Sequence, residues 1–143
     1  MITREEAGRR LESDFMPGHT LFARRIFLWS GIYGIAALLP QYLLEDRLAR
    51  DFPPPLNHPE YFYGFVGVAL AWQFAFIVIS RDVVRFRPLM LPAAAEKFLF
   101  AASTLALYFS GRVAAFTAGA AMVDLFLGIL FVVSYVRCSN PRA

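Results

Sequence analysis

The sequence predicts an all-α fold: four transmembrane helices in an antiparallel up-down bundle, preceded by a short amphipathic helix. Three observations carry that expectation. Four apolar runs approach or exceed the ~20 residues needed to cross a bilayer core. Hydrophobic residues make up 58% of the 143-residue chain, well above the roughly 45–50% of soluble domains. The third run, Leu89–Gly111, carries Glu96 and Lys97 side by side, and only a bundle can keep such charges out of lipid. Helices satisfy every backbone polar group within the segment, which the bilayer core requires. The length suits a single membrane domain, 1–143.

Residues 1–25 form a polar lead on the cytoplasmic side. Thr3 and Glu6 fit a capping box. Ala7, Leu11 and Phe15 share one face, the pattern of a helix lying on the membrane surface. A frayed tail fits the same residues. The lead is too acidic for a signal peptide.

The first span is expected at about 26–44, entered at Arg24 and Arg25. Gly31, Gly34 and Ala37 give it a small-residue strip for close helix approach. Pro40 should kink its far end. A loop, 45–60, contains three consecutive prolines. The second span covers 61–80, with Gly64, Gly67 and Ala71 as its small face and Phe76 assigned to lipid. The 81–88 loop carries Arg81, Arg85 and Arg87. The third span, 89–110, and the fourth, 113–136, are joined at Gly111–Arg112, a turn so short that they must be antiparallel neighbours.

Charge sets the orientation. Lys97 is the only lysine among 14 basic residues. Ten of the 13 arginines fall in the N-terminal lead, the 81–88 loop and the C-terminal tail. The positive-inside rule then places both termini in the cytoplasm. Because the arginines lie outside the apolar runs, topology explains the net charge of +3, and a nucleic-acid partner is not expected. Cys138 is the single cysteine, which excludes dithiol chemistry within the chain.

The candidate site residues follow from depth. Gln73 and Glu96 each lie seven residues inside the cytoplasmic edge, roughly 10 Å by helix rise, so a Gln73–Glu96 hydrogen bond across the second and third helices is expected. Counted from the Gly111–Arg112 turn, Lys97 and Asp124 come within ~3 Å of the same level, which predicts an ion pair. Ser103 continues the Glu96 stripe, and Thr104 and Tyr108 continue that of Lys97. Ionisable residues inside a span mark a functional site by default. A structural pair that fixes helix register is the competing reading.

A second constellation is His58 and Glu60, on the outer face. It fits an acid–base pair or a weak metal site, and equally a rigid loop before a helix start. Two ligands are too few for a metal assignment. No histidine lies within a span, which argues against bis-histidine haem, and no Gly-rich phosphate loop is present. Neither a cofactor nor a metal is expected.

The block Pro55–Gln73, PLNHPEYFYGFVGVALAWQ, together with RDVVRFRPLMLPAAAEKF from Arg81, is similar to a pattern in small bacterial membrane proteins without an assigned role. The overall layout resembles that of DoxX-like four-helix proteins. The resemblance implies a multi-pass protein of a bacterial inner membrane and brings no catalytic residue with it.

Three functions fit these residues. The favoured one is a small lipophilic-ligand-binding or accessory membrane protein, its ligand site drawn from Gln73, Glu96, Lys97, Ser103, Asp124, His58 and Glu60. The second is an intramembrane enzyme on a lipid or isoprenoid-like substrate, with Glu96 and Asp124 as acid–base groups and Lys97 as electrostatic partner. The third is a proton-coupled transporter, for which a homo-oligomer would supply a wider pathway. Membrane lipids are expected partners in every case.

Overall fold

A computed structural model describes residues 18–51 and 58–138. The proposed surface helix and the run of three prolines lie outside them. Among the described residues there is no strand. The elements are α1 (Gly18–Leu38), a 3-10 turn (Leu39–Leu43), α2 (Glu45–Asp51), α3 (Pro59–Arg81), a 3-10 turn (Arg87–Leu89), α4 (Met90–Phe109) and α5 (Ala115–Arg137). With their 3-10 turns, the four long helices are each long and apolar enough to cross a membrane.

Helix α1 is already helical at Gly18, eight residues before the expected entry of the span at Ile26. Thr20, Ala23, Phe27, Ser30, Gly31 and Gly34 are buried, a stripe at three-to-four spacing that begins ahead of the arginines. Arg24 and Arg25 are exposed on the other side. Such long side chains can run along a helix and place their charge at the membrane edge, so they do not end it. Pro40 lacks the N–H an α-helix needs, and the chain tightens there into the 3-10 turn.

The connection after Leu44 holds helix α2, where a plain loop was expected. Glu45 and Asp46 sit in its first turn, favoured by the helix dipole. Arg47 pairs with Asp51 at 3.5 Å, one turn on. The Tyr63 hydroxyl donates to Glu45 Oε2 at 2.5 Å and Tyr42 stacks on Tyr63, which ties this corner to α3. Pro59 occupies the first turn of α3, where its missing N–H costs nothing. At the other end, Asp82 Oδ1 accepts the Arg85 N–H at 3.0 Å and shapes the turn toward α4. Gly111, at φ +72°, makes the tight turn toward α5 in a conformation that glycine adopts freely.

Helices α1 and α3 pair antiparallel, as do α4 and α5, and the two hairpins join chiefly through α1 and α5. The α3–α4 seam is sparse. The core lies toward the 82–86 turn. Phe27 stacks on Phe131 with ring centroids 4.1 Å apart, and Phe76 meets both rings edge-on, at 6.1 and 4.9 Å. Ile79, Met90, Ala93 and Ala94 complete it.

Phe76, expected to face lipid, is therefore fully buried. The expected small face of α3 is corrected as well. Nothing lies near a Cβ placed at Gly64, and only the Tyr42 hydroxyl approaches one at Gly67. The close approach is instead at Gly31 and Gly34 of α1, against Gln73 and Ile77. A helix that is apolar all round gives no stripe by which to separate lipid from core.

Large apolar side chains cover the outside of the bundle, among them Trp29, Phe74, Leu99 and Phe126, each more than half exposed. An apolar surface of that extent marks contact with lipid or another apolar partner. With the four long helices, it makes this a membrane protein.

Candidate functional site

The site forms where the two hairpins meet. Lys97 projects from α4 toward α5, and its Nζ lies 3.2 Å from Asp124 Oδ1 and 3.3 Å from Oδ2. The expected pair is present. Its basis is the Gly111–Arg112 turn, which sets both residues at one level. Glu96 joins it: its Oε2 lies 3.3 Å from the same Nζ. Adjacent residues point about 100° apart on a helix, but the long lysine stem lets its ammonium turn back. One ammonium thus stands between two carboxylates, and all three side chains are at least four-fifths buried.

The hydrogen bond of Lys97 goes to Asp124. Glu96 Oε2 receives charge without a directed donor, and it is buried with no hydrogen-bond partner among the described residues. Ser30 Oγ is in the same condition. A buried acceptor or hydroxyl without a hydrogen bond costs free energy, so both atoms have capacity for a donor or acceptor, although Glu96 Oε2 keeps its ion pair with Lys97.

A cavity of about 140 Å³ adjoins the three charges and touches α1, α3, α4 and α5. Ser30, Gln73, Glu96, Lys97 and Asp124 give its polar wall, and Tyr33, Phe65, Phe100 and Leu127 much of the rest. Phe65 and Phe100 stack across the α3–α4 seam at 5.8 Å. Toward the 82–86 turn the aromatic core closes the space, with Nζ of Lys97 5.4 Å from the Phe76 ring centre. The cavity extends the other way, along the halves of α1 and α3 farther from that turn, to Gln41 and Phe65.

A second, larger depression of about 370 Å³ runs along the surface between α1 and α5. Ile26, Trp29, Val123 and Phe126 make it apolar, and Arg25 stands at its edge. Ser30, Tyr33 and Leu127 belong to both spaces. A polar interior chamber and an apolar surface groove thus share one wall.

The other expected site residues divide. Gln73 is buried and lines the cavity, but the bond expected to Glu96 is not made: its Nε2 donates to Ala69 O at 2.9 Å, within its own helix. Gly34 leaves the space into which the Gln73 carboxamide folds. Ser103 is exposed and takes no part, while Thr104 is buried. Lys97 and Thr104, one heptad apart, lie on the buried face of α4, whereas the Glu96 stripe runs along its edge and is exposed by Ser103. His58 and Glu60 are exposed, with Nδ1 and Oε1 2.9 Å apart. They lie at the start of α3, about 20 Å along it from Gln73, and belong to a different surface. Among the described residues no group of three His, Cys, Asp or Glu is placed to hold a metal.

Ser30, Tyr33 and Leu127 had no part in the expected site. Ser30, with Gly34, Ala37 and Gln41, forms a small or polar line along α1 at three-to-four spacing. That line is the signal for the α1 side of the cavity. No family model, curated protein or solved structure matches the chain.

Proposed function

We propose that this protein binds a small amphiphile inside the membrane. The polar end enters the chamber at Glu96, Lys97 and Asp124, and the apolar tail lies in the groove between α1 and α5. The observation that carries this is the shared wall of Ser30, Tyr33 and Leu127. Pockets that enclose a whole drug-sized ligand are ~300–1,000 Å³. The chamber alone is smaller, so it suits a head and not a complete ligand.

The test is ligand-dependent stability. A ligand that binds only the folded state raises the melting temperature. Protein stripped of lipid should gain several degrees on addition of a lipid extract. Leu127→Trp, which fills the common wall, should abolish the gain while leaving the Lys97–Asp124 pair in place. An equal gain in the variant would place the ligand elsewhere.

The protein crosses the membrane four times on this reading, with both termini cytoplasmic. Among the described residues, Arg24, Arg25, Arg81, Arg85, Arg87 and Arg137 gather at one end of the bundle, against Arg47, Arg50 and Arg112 at the other. That asymmetry favours the arginine-rich end inside. A periplasmically active reporter fused to the C-terminus should give no signal. Strong activity there would reverse the orientation.

A further inference from the structure

We infer that the head group this site accepts is an alkylammonium, so that the ligand is a long-chain amine or an amphiphile carrying one. The inference rests on the amphiphile-binding reading above and names the chemistry of its polar end.

The charge balance comes first. Fully ionised, Glu96, Lys97 and Asp124 together carry one excess negative charge. They sit between helices whose outer surfaces are apolar, where an uncompensated charge is costly. Among the described residues that line the cavity, Lys97 is the one cation, and its hydrogen bond is directed to Asp124. Glu96 Oε2 is buried and shares that ammonium as an ion pair at 3.3 Å, with no hydrogen bond directed to it. An ammonium N–H would supply both the missing donor and the missing positive charge. Charge-assisted bonds of this kind are about twice as strong as neutral ones.

Other heads match less well. A carboxylate or phosphate would add to the excess negative charge, and could reach Lys97 only by displacing Asp124. A ketone or ester offers no donor to Glu96. A hydroxyl donates but leaves the charge unbalanced.

The walls point the same way. Tyr33, Phe65 and Phe100 line the chamber beside the carboxylates, and aromatic faces attract cations, more strongly where water is excluded. The volume of about 140 Å³ suits a primary or lightly alkylated ammonium with its first methylenes. The groove beyond Ser30 and Leu127 takes the remaining chain.

The experiment uses the full chain in phosphatidylcholine nanodiscs, with empty discs as the partition blank. Dodecylamine, dodecanol and dodecanoate, matched in chain length, are titrated calorimetrically. Dodecylamine should bind saturably, at least tenfold tighter than dodecanol, with no saturable binding of dodecanoate. Glu96→Gln keeps the shape and the Lys97–Asp124 pair. It should lower dodecylamine affinity at least tenfold and dodecanol affinity far less, because the amide oxygen still accepts from a hydroxyl. Phe100→Leu should weaken the amine several-fold and spare the alcohol, which decides the matter even if the Glu96 variant does not fold. Equal binding of amine and alcohol, preference for dodecanoate, or indifference of the amine to both substitutions would overturn the ammonium assignment while leaving an amphiphile site standing. Absence of saturable binding by all three would remove the amphiphile reading itself.

Discussion

Replacing Lys97 with Met should destabilise the protein by ~3–5 kcal/mol, the cost typical of stripping a buried charge of its partner. The effect is expected to be large because one ammonium serves two carboxylates. With it gone, Glu96 and Asp124, 19% and 17% exposed, face each other without a counter-charge. Asp124→Leu should cost less, because Lys97 keeps Glu96 at 3.3 Å. The Lys97→Met, Asp124→Leu double variant should recover only part of the loss, since it leaves Glu96 stranded. Adding Glu96→Gln should recover most of the remainder. Replacing a complete buried ionic group with apolar or neutral residues is often close to neutral. Reversible unfolding in mixed micelles measures all four variants. Equal losses for Lys97→Met and Asp124→Leu would show that Glu96 does not share the lysine.

The second large effect is expected at Gly31. A Cβ there would come within 2.7 Å of Ile77 Cγ1 and 2.8 Å of the Gln73 carbonyl oxygen. A side chain can turn away, but the carbonyl moves only if α3 moves with it. Gly31→Leu should therefore force α1 and α3 apart, at ~3 kcal/mol, the upper end of the usual overpacking range. Lipid tails are as apolar as leucine, so close packing contributes much of the association of helices in a membrane. Gly64→Leu is the control. Nothing lies within 4 Å of its Cβ position, and the same unfolding assay should register little change. A tolerant Gly31 would mean that the two helices are not in close contact there.

The long helices and the central ion pair were legible in the sequence, for definite reasons. Apolar runs of that length have few alternatives to a helix in lipid. Gly111 and Arg112 leave no freedom in the α4–α5 turn, so counting residues from it was enough to place Lys97 opposite Asp124. Facing was legible on α1, where Gly31 and Gly34 make the close approach expected of their strip, but not on α3. Phe74 and Phe76 are alike in sequence, yet Phe74 is 58% exposed and Phe76 wholly buried, because only the packing of α1 and α5 distinguishes them. Gly64 belongs to a strip like that of Gly31, yet nothing packs against it. That α1 is helical ahead of Ile26 was not legible, because Arg24 and Arg25 break the apolar run while lying on the exposed side of a continuing helix. Gln73 was located at the right depth, but its bond went to its own backbone. A local carbonyl one turn back is always within reach, whereas Glu96 lies across a sparse seam. The groove could not be read at all, since it exists only where α1 and α5 come together.

The amphiphile itself can be weighed. Native mass spectrometry of the protein released directly from its membrane, beside the Leu127→Trp variant prepared in the same way, reports retained small molecules and subunit number together. The expected spectrum of the unaltered chain carries a discrete added mass, at a fixed stoichiometry, that survives collisional activation after bulk lipid has been shed, and the variant lacks it. Bare protein in both spectra, or the same adducts in both, would contradict a ligand held between the Glu96–Lys97–Asp124 cluster and the α1–α5 groove.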